Sequence, residues 1–220
     1  MRELSEASGV PVPTIKFYLR ERLLPAGERT HPNQSEYDDT HLRRLRLIRA
    51  LIDIGGLSVS TARAVTSLLD LRSTSIHDVL GLAQHAMAPL LPDQPGPELD
   101  LARQHIQGLV DRLGWQVSMG NAGRAGAATV LTTLAALEQP GLAEVLEPYA
   151  RAAETAARAD LDAVAAAGDR DSMVETAVIG MVVGEALTLH LRRMAQEHVS
   201  SQRLSHSAGG QAPTGDSPTS

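Results

Sequence analysis

Cysteine is absent from this chain. That removes disulfide frameworks and thiolate metal sites, and it fits a reducing cytoplasm. Aromatic residues make up only 2% of the sequence, so the core must be built from Leu, Val, Ile and Ala. Lysine is nearly missing: Lys16 stands alone. No apolar run is long enough to read as a bilayer span. The most apolar one, Ala177–Leu191, is short and contains Glu185, so it reads as a buried core helix and no membrane partner is expected. The first residues carry no charged-then-apolar leader pattern. Also missing are a Gly-rich phosphate loop, a nucleophile elbow and a paired-carboxylate arrangement. The eight histidines are dispersed, with no two spaced three or four apart on one helix. No catalytic residue, metal site or cofactor is therefore expected, and an enzymatic reading has nothing to rest on.

What is present is 220 residues of Ala- and Leu-rich sequence, enough for one large domain or two small ones and suited to helix throughout. The formal charge is −6, but it is unevenly spread. Residues 1–50 hold nine basic and seven acidic side chains, a net +2, and residues 51–220 hold eleven and nineteen, a net −8. A local basic face on an acidic protein suits a DNA binder, because phosphate contacts act over short screened distances.

The stretch Gly9–Arg29 organises the chain. Gly9 allows a sharp helix-to-helix turn. Pro13 fits the first turn of a helix, where its missing N–H is not needed. From Thr14 to Arg22 the residues allow helix, with Ile15, Leu19 and Leu23 on one stripe. That leaves Thr14, Lys16, Tyr18 and Arg20 to face outward or sideways, as on a helix that enters a DNA major groove. Before it, Arg2–Ser8 reads as a two-turn helix ended by Gly9. After it, Pro25 blocks continuation, and the polar segment Ala26–Glu36 can fold as a two-stranded wing carrying Arg29 and His31 toward phosphates.

Asp38 or Asp39 can cap the next helix. This helix has one apolar face, through Leu42, Leu45, Ile48 and Ile52, and one basic face. Arg43, Arg44, Arg46 and Arg49 could touch the DNA backbone or pair with neighbouring acids. Gly55-Gly56 breaks it, and Ser58 caps a helix over Val59–Leu71.

Three blocks, E-L-S-E-A-S-G-V-P-V-P-T-I-K-F-Y-L-R-E-R-L-L, then Tyr37 through L-R-R-L-R-L-I-R-A-L, then I-G-G-L-S-V-S-T-A-R-A-V, resemble the DNA-binding domain of MerR-family transcription regulators. The likeness covers about residues 2–71, beginning slightly short of the family's usual start. It implies a winged helix-turn-helix, a homodimer on a near-palindromic promoter, and a sensing C-terminal region. It also implies activation by DNA distortion, in which an over-long spacer is untwisted so that RNA polymerase can engage. By that resemblance Thr14, Lys16, Phe17, Tyr18 and Arg20 belong to the recognition helix. Thr14 and Lys16 would lie at the groove, and Tyr18 would contact phosphate. Arg29 and His31 would lie on the wing, Tyr37 at its end, and Arg43 and Arg44 along the backbone. Gln34-Ser35 stand where the family often has Tyr-Arg, and Pro11 and Pro13 where it often has Ser and Arg.

Beyond residue 71 that likeness fades. Ser73–Leu91 carries a helical apolar stripe where the family holds a dimer helix. Pro92–Pro97 reads as a linker, Glu98–Gly114 as helix, and Ser118–Gly126, with three glycines, as a loop. Ala127–Leu137, Leu142–Ala167 and Ser172–Val199 read as helices, and residues 200–220 as a disordered tail. The last helices are similar in composition to those of TetR-type ligand-binding domains. That similarity implies a dimer contact near Gly180-x-x-x-Gly184. Trp115 and Met119 could line a ligand pocket or fill the core.

The expected architecture is all-α with a small β wing. It divides into a winged helix-turn-helix at 1–71, a connection at 72–97, a helical effector and dimerisation domain at 98–199, and a tail. The expected function is a cytoplasmic, DNA-binding regulator open to a small organic effector. The alternative is a ligand-binding or adaptor protein that uses its helix-turn-helix for protein contacts.

Overall fold

A computed structural model of the chain describes residues 1–31, 34–71, 74–88, 95–139, 141 and 144–209. The fold is helical with one two-stranded sheet. Helix α1, Arg2–Ser8, ends at Gly9 in the left-handed region, φ 67°. The turn that follows is stitched at the residue level. The Ser5 hydroxyl donates to the Val10 carbonyl at 2.6 Å, and the Val10 N–H donates to the Ser8 hydroxyl at 3.2 Å. Val10 is thereby held inside the core. Helix α2, Val12–Arg20, starts with Pro13 in its first turn. Arg22 takes a positive φ of 58°, a costly conformation for a side chain with a Cβ. The turn it makes drives Leu23 and Leu24 into the core.

Strands β1, Glu28–His31, and β2, Gln34–Glu36, pair antiparallel, with Glu28 opposite Glu36 and Arg29 opposite Ser35. The register shifts between Arg29 and His31. Helix α3, Asp39–Arg49, is capped by Asp38, whose carboxylate accepts from the Thr40 and His41 N–H groups at 3.0 and 3.2 Å. It runs on as a π turn over Ala50–Ile54, then breaks at Gly55-Gly56. Helix α4, Val59–Ser67, is capped by Ser58 and finishes as a 3₁₀ turn, Leu68–Asp70. Helices α5 (Ile76–Met87), α6 (Pro97–Leu113), α7 (Ala122–Ala136), α8 (Leu146–Ala166) and α9 (Arg170–Gly209) complete the chain.

Two expectations change here. Gly123 and Gly126 lie inside α7 rather than in a loop, because the Asn121 side chain accepts from the Gly123 N–H at 2.9 Å and starts the helix early. Residues 200–209 are not a disordered tail but continue α9. Residues 89–91, read as the end of a helix, 92–94, read as linker, and 210–220, read as tail, lie outside the described residues.

The cores explain how the parts are joined. The N-terminal core packs Ile15, Leu45, Ile48, Leu51, Ala62 and Val65, together with Val178 and Val182 of α9. A second cluster joins Leu68, Val79 and Ala83 to Val174, also from α9. A third joins α6 and α7 through Leu99, Ala102, Ile106 and Ala128. The last helix is thus part of the first module's interior. Burying each such Val is worth roughly 1.5–3 kcal/mol. Arg170, at the root of α9, fixes the join by donating to the carbonyls of Leu71, at 2.8 Å, and Thr74. The apolar run read as a buried core helix is buried only over its first part: Ala177, Val178 and Val182 are buried, but Leu187, Leu189 and Leu191 are exposed. Helix Arg170–Arg203 is long and apolar enough to cross a membrane by length and composition alone.

Candidate nucleic-acid interface

The exposed face of α2 is cationic. Lys16 and Arg20 sit four residues apart and both are exposed. Neither has an ion-pair partner among the described residues. The first turn of α2 carries no acid, so its N–H dipole end is not neutralised. Thr14 is half-buried beside them. Arg29 is exposed on β1, and the side chain of His31 lies outside the described residues.

Tyr18 does not share that face. It is 7% exposed and belongs to the core around Ile15 and Leu45. Burial pushes its phenol above the ordinary value, with the Asp53 carboxylate adding to the shift and Arg49 opposing it. The physical reason is helical period: Tyr18 is three residues after Ile15, so it joins the inward stripe. Phe17 is half-buried, its ring 5.9 Å from that of Tyr18. Tyr37 is half-buried as well. It packs edge-on to His41 at 5.2 Å and closes over Gly27, where a Cβ would stand 3.0 Å from the ring. Both Phe17 and Tyr37 pack against the N-terminal core.

The arginines of α3 divide. Arg44 is engaged within the fold. Its guanidinium donates to the Thr66 carbonyl and to the Asp70 carboxylate, both at 2.6 Å, with 12% of its side chain accessible. It ties α3 to α4. Arg49 pairs with Asp53 at 2.8 Å. Arg43 and Arg46 are exposed. Arg43 lines a cleft opposite Asp169, Asp171 and Glu175 at the root of α9.

Residues 1–69 match the family model described as "MerR HTH family regulatory protein". The chain belongs to the MerR family of helix-turn-helix transcription regulators. Over its length it is similar to a solved chain from Streptomyces coelicolor A3(2), SCO5550, described as a candidate transcriptional regulator. That likeness has a TM-score of 0.69 at 34% identity, covering 92% of this chain and 96% of the other. It is also similar to the nodulation protein NolA of Bradyrhizobium elkanii, 32% identical over 119 residues, 50% of this chain and 53% of that protein. The NolA of Bradyrhizobium diazoefficiens is 42% identical over 72 residues, 31% of this chain and 30% of that protein. The chain therefore spans about half, or less, of the curated relatives it matches.

Outside the MerR-type module, the residues read as pocket lining fall differently. The Trp115 indole N–H donates to Glu154 at 3.1 Å, which ties the end of α6 to α8. Met119 is 80% exposed, a solvent-facing thioether rather than the wall of a pocket. What sequence reasoning missed is the contact of α9 with the MerR-type module. A Cβ at Gly55 would stand 2.0 Å from Val182 Cγ1. The Gly55-Gly56 pair signalled a helix break but not what presses against it.

Proposed function

We propose that this chain is a homodimeric regulator that binds a near-palindromic promoter site and controls transcription there. The observation that carries the reading is the exposed cationic face of Lys16 and Arg20 on the second helix of the helix-turn-helix. Thr14 and Lys16 read base edges, while Arg20, Arg29 and Arg43 contact phosphates. Tyr18, Phe17 and Tyr37 hold those contacts in place from beneath.

Two copies would set their α2 helices about one duplex turn apart, roughly 34 Å. The protein would then act through DNA shape, untwisting a spacer so that RNA polymerase engages both promoter elements. A small organic effector would sit in the cleft of ≈ 300 Å³ between α6 and α7, lined by Leu101, His105, Leu131 and Leu134. The working compartment is the cytoplasm, and the working divisions are the wing module at 1–71 and the helical region from 98 onward.

A gel-shift titration against the chain's own promoter region at several salt concentrations tests this. Binding to a palindrome that weakens steeply with salt is expected. No salt-sensitive shift on any palindrome there would refute it.

A further inference from the structure

A cleft of ≈ 370 Å³ lies where the end of α5, the start of α7 and the middle of α9 meet. That is within the range of small-molecule sites, about 300–1,000 Å³. It shares no lining residue with the cleft between α6 and α7. Gln84, Met87 and Ala88 line it from α5, Gly123 and Gly126 from α7, and Glu185 from α9. Among the described residues, Glu185 is the one ionisable group in this lining.

Glu185 is a charge without a counterpart. It makes no ion pair or hydrogen bond among the described residues. One side of it stays open to solvent, yet burial of the rest pushes its carboxyl above the ordinary carboxylate value. No neighbouring cation opposes that shift. A partly desolvated carboxylate costs free energy unless it is paired. Its place is fixed, because it follows Val182 by one helical turn and Val182 is buried in the N-terminal core.

A second feature has the same sign. Helix α5 ends at Met87 with Ala88 as its cap, so the carbonyl end of its dipole reaches the cleft and favours a cation there. His85 is the basic group in that last turn, and it does not line the cleft. The start of α7 offers little to an anion in return. Its Gly123 N–H donates to the Asn121 side chain at 2.9 Å, and its Arg124 N–H to the Asn121 carbonyl at 3.1 Å. The remaining walls, Met87, Ala88, Ala122 and the two glycines, suit an apolar body.

We propose that this cleft binds a small organic ammonium. The cation rests between the Glu185 carboxylate and the carbonyl end of α5. Its apolar part lies over Met87 and Ala88 and against the glycine-lined wall of α7. One carboxylate is too few to hold a divalent metal. A neutral ligand would leave Glu185 unpaired, and an anion would meet it as a like charge. Met87 also packs against the N-terminal core, so the bound molecule touches two helices that enter that core, and joins both to α7. At present Asn121 donates to Gln84 across this gap at a long 3.4 Å. The inference does not depend on the chain's binding DNA.

Isothermal titration of the full chain with probes of one shape and different charge tests it. Benzylammonium or benzyltrimethylammonium is expected to bind at one site with a dissociation constant of about 1 mM or tighter. Benzyl alcohol and benzoate are expected to bind at least tenfold more weakly. Glu185→Gln keeps the shape and removes the charge, and is expected to weaken cation binding roughly tenfold or more. Gln84→Lys sets an ammonium of the chain's own in the same cleft, and is expected to abolish cation binding. Glu197→Gln, an exposed acid further along α9, is expected to leave it unchanged. All three variants are expected to keep the wild-type helix content by circular dichroism. Failure of both cations to bind would overturn the proposal, as would equal affinity for benzyl alcohol or benzoate. So would cation binding that survives Glu185→Gln or Gln84→Lys undiminished, since the cation would then sit elsewhere.

Discussion

At the scale of single residues, the interface separates into groups that reach outward and groups that hold them. Lys16 is the only lysine in the protein and it is exposed. Lys16→Ala is expected to change which operator is preferred. Arg29→Ala should weaken binding to all sequences alike and reduce the salt slope by about 1, measured in the same titration. Arg43 and Arg44 are adjacent and look equivalent as letters. Arg44→Ala removes the bonds to Thr66 and Asp70 and should cost about 1–2 kcal/mol in urea unfolding, whereas Arg43→Ala should leave stability unchanged. Asp38 offers a pH test. The Thr40 hydroxyl, then His41, hold its carboxyl well below the ordinary carboxylate value. A lowered native value stabilises the fold above the unfolded-state value of 3.8 and loses that contribution as pH falls below it. The melting-temperature gap between wild type and Asp38→Ala should therefore narrow from pH 5 to pH 3 in scanning calorimetry. The phenol of Tyr18 suits a phosphate contact, yet the side chain is buried. Its spacing from Ile15 already put it inside. Arg44's partners were not legible, since Asp70 is far away in sequence and only the packing of α3 on α4 brings it near.

At the scale of elements, the most telling contact is Gly55 against Val182. A Cβ there would also stand 2.8 Å from the Leu51 carbonyl, so the π turn and α9 compress the position from two sides. Gly55→Ala is expected to destabilise the fold by about 1–3 kcal/mol. In a double-mutant cycle, adding Val182→Ala should relieve part of that loss, and strict additivity would show that the two do not meet. Capping chemistry made the starts of α3 and α4 readable, because Asp38 and Ser58 each accept from a first-turn N–H, whereas α5, read from Ser73 on its apolar stripe, starts at the Ser75 cap. The start of α7 was readable by the same rule through Asn121, but glycine content argued against it. The π turn at Ala50–Ile54 had no sequence signal, since its residues continue an ordinary helical stripe.

At the scale of the whole molecule, the winged helix-turn-helix and the helical remainder were legible from three ordered blocks and from apolar period. Their join was not. Val174, Val178 and Val182 read as any aliphatic run, and nothing local says that their core neighbours lie far upstream, between Leu4 and Ala83. α9 belongs to the first module's core and also packs along α8, so it is a lever shared by both. Tyr149 of α8 accepts a hydrogen bond from Arg192 at 2.8 Å, with the guanidinium 5.1 Å above the ring, which marks the outer end of that shared lever.

The burial of Val178 and Val182 among the side chains of α1 to α4 also bears on how the protein is made. A ribosome at about 5–20 residues per second would need several seconds or more to deliver α9 after α4 has emerged. For that interval the nascent N-terminus carries an open apolar socket with its plug still untranslated. Its specific, fully packed state can be reached only once α9 has followed α4 out of the ribosome.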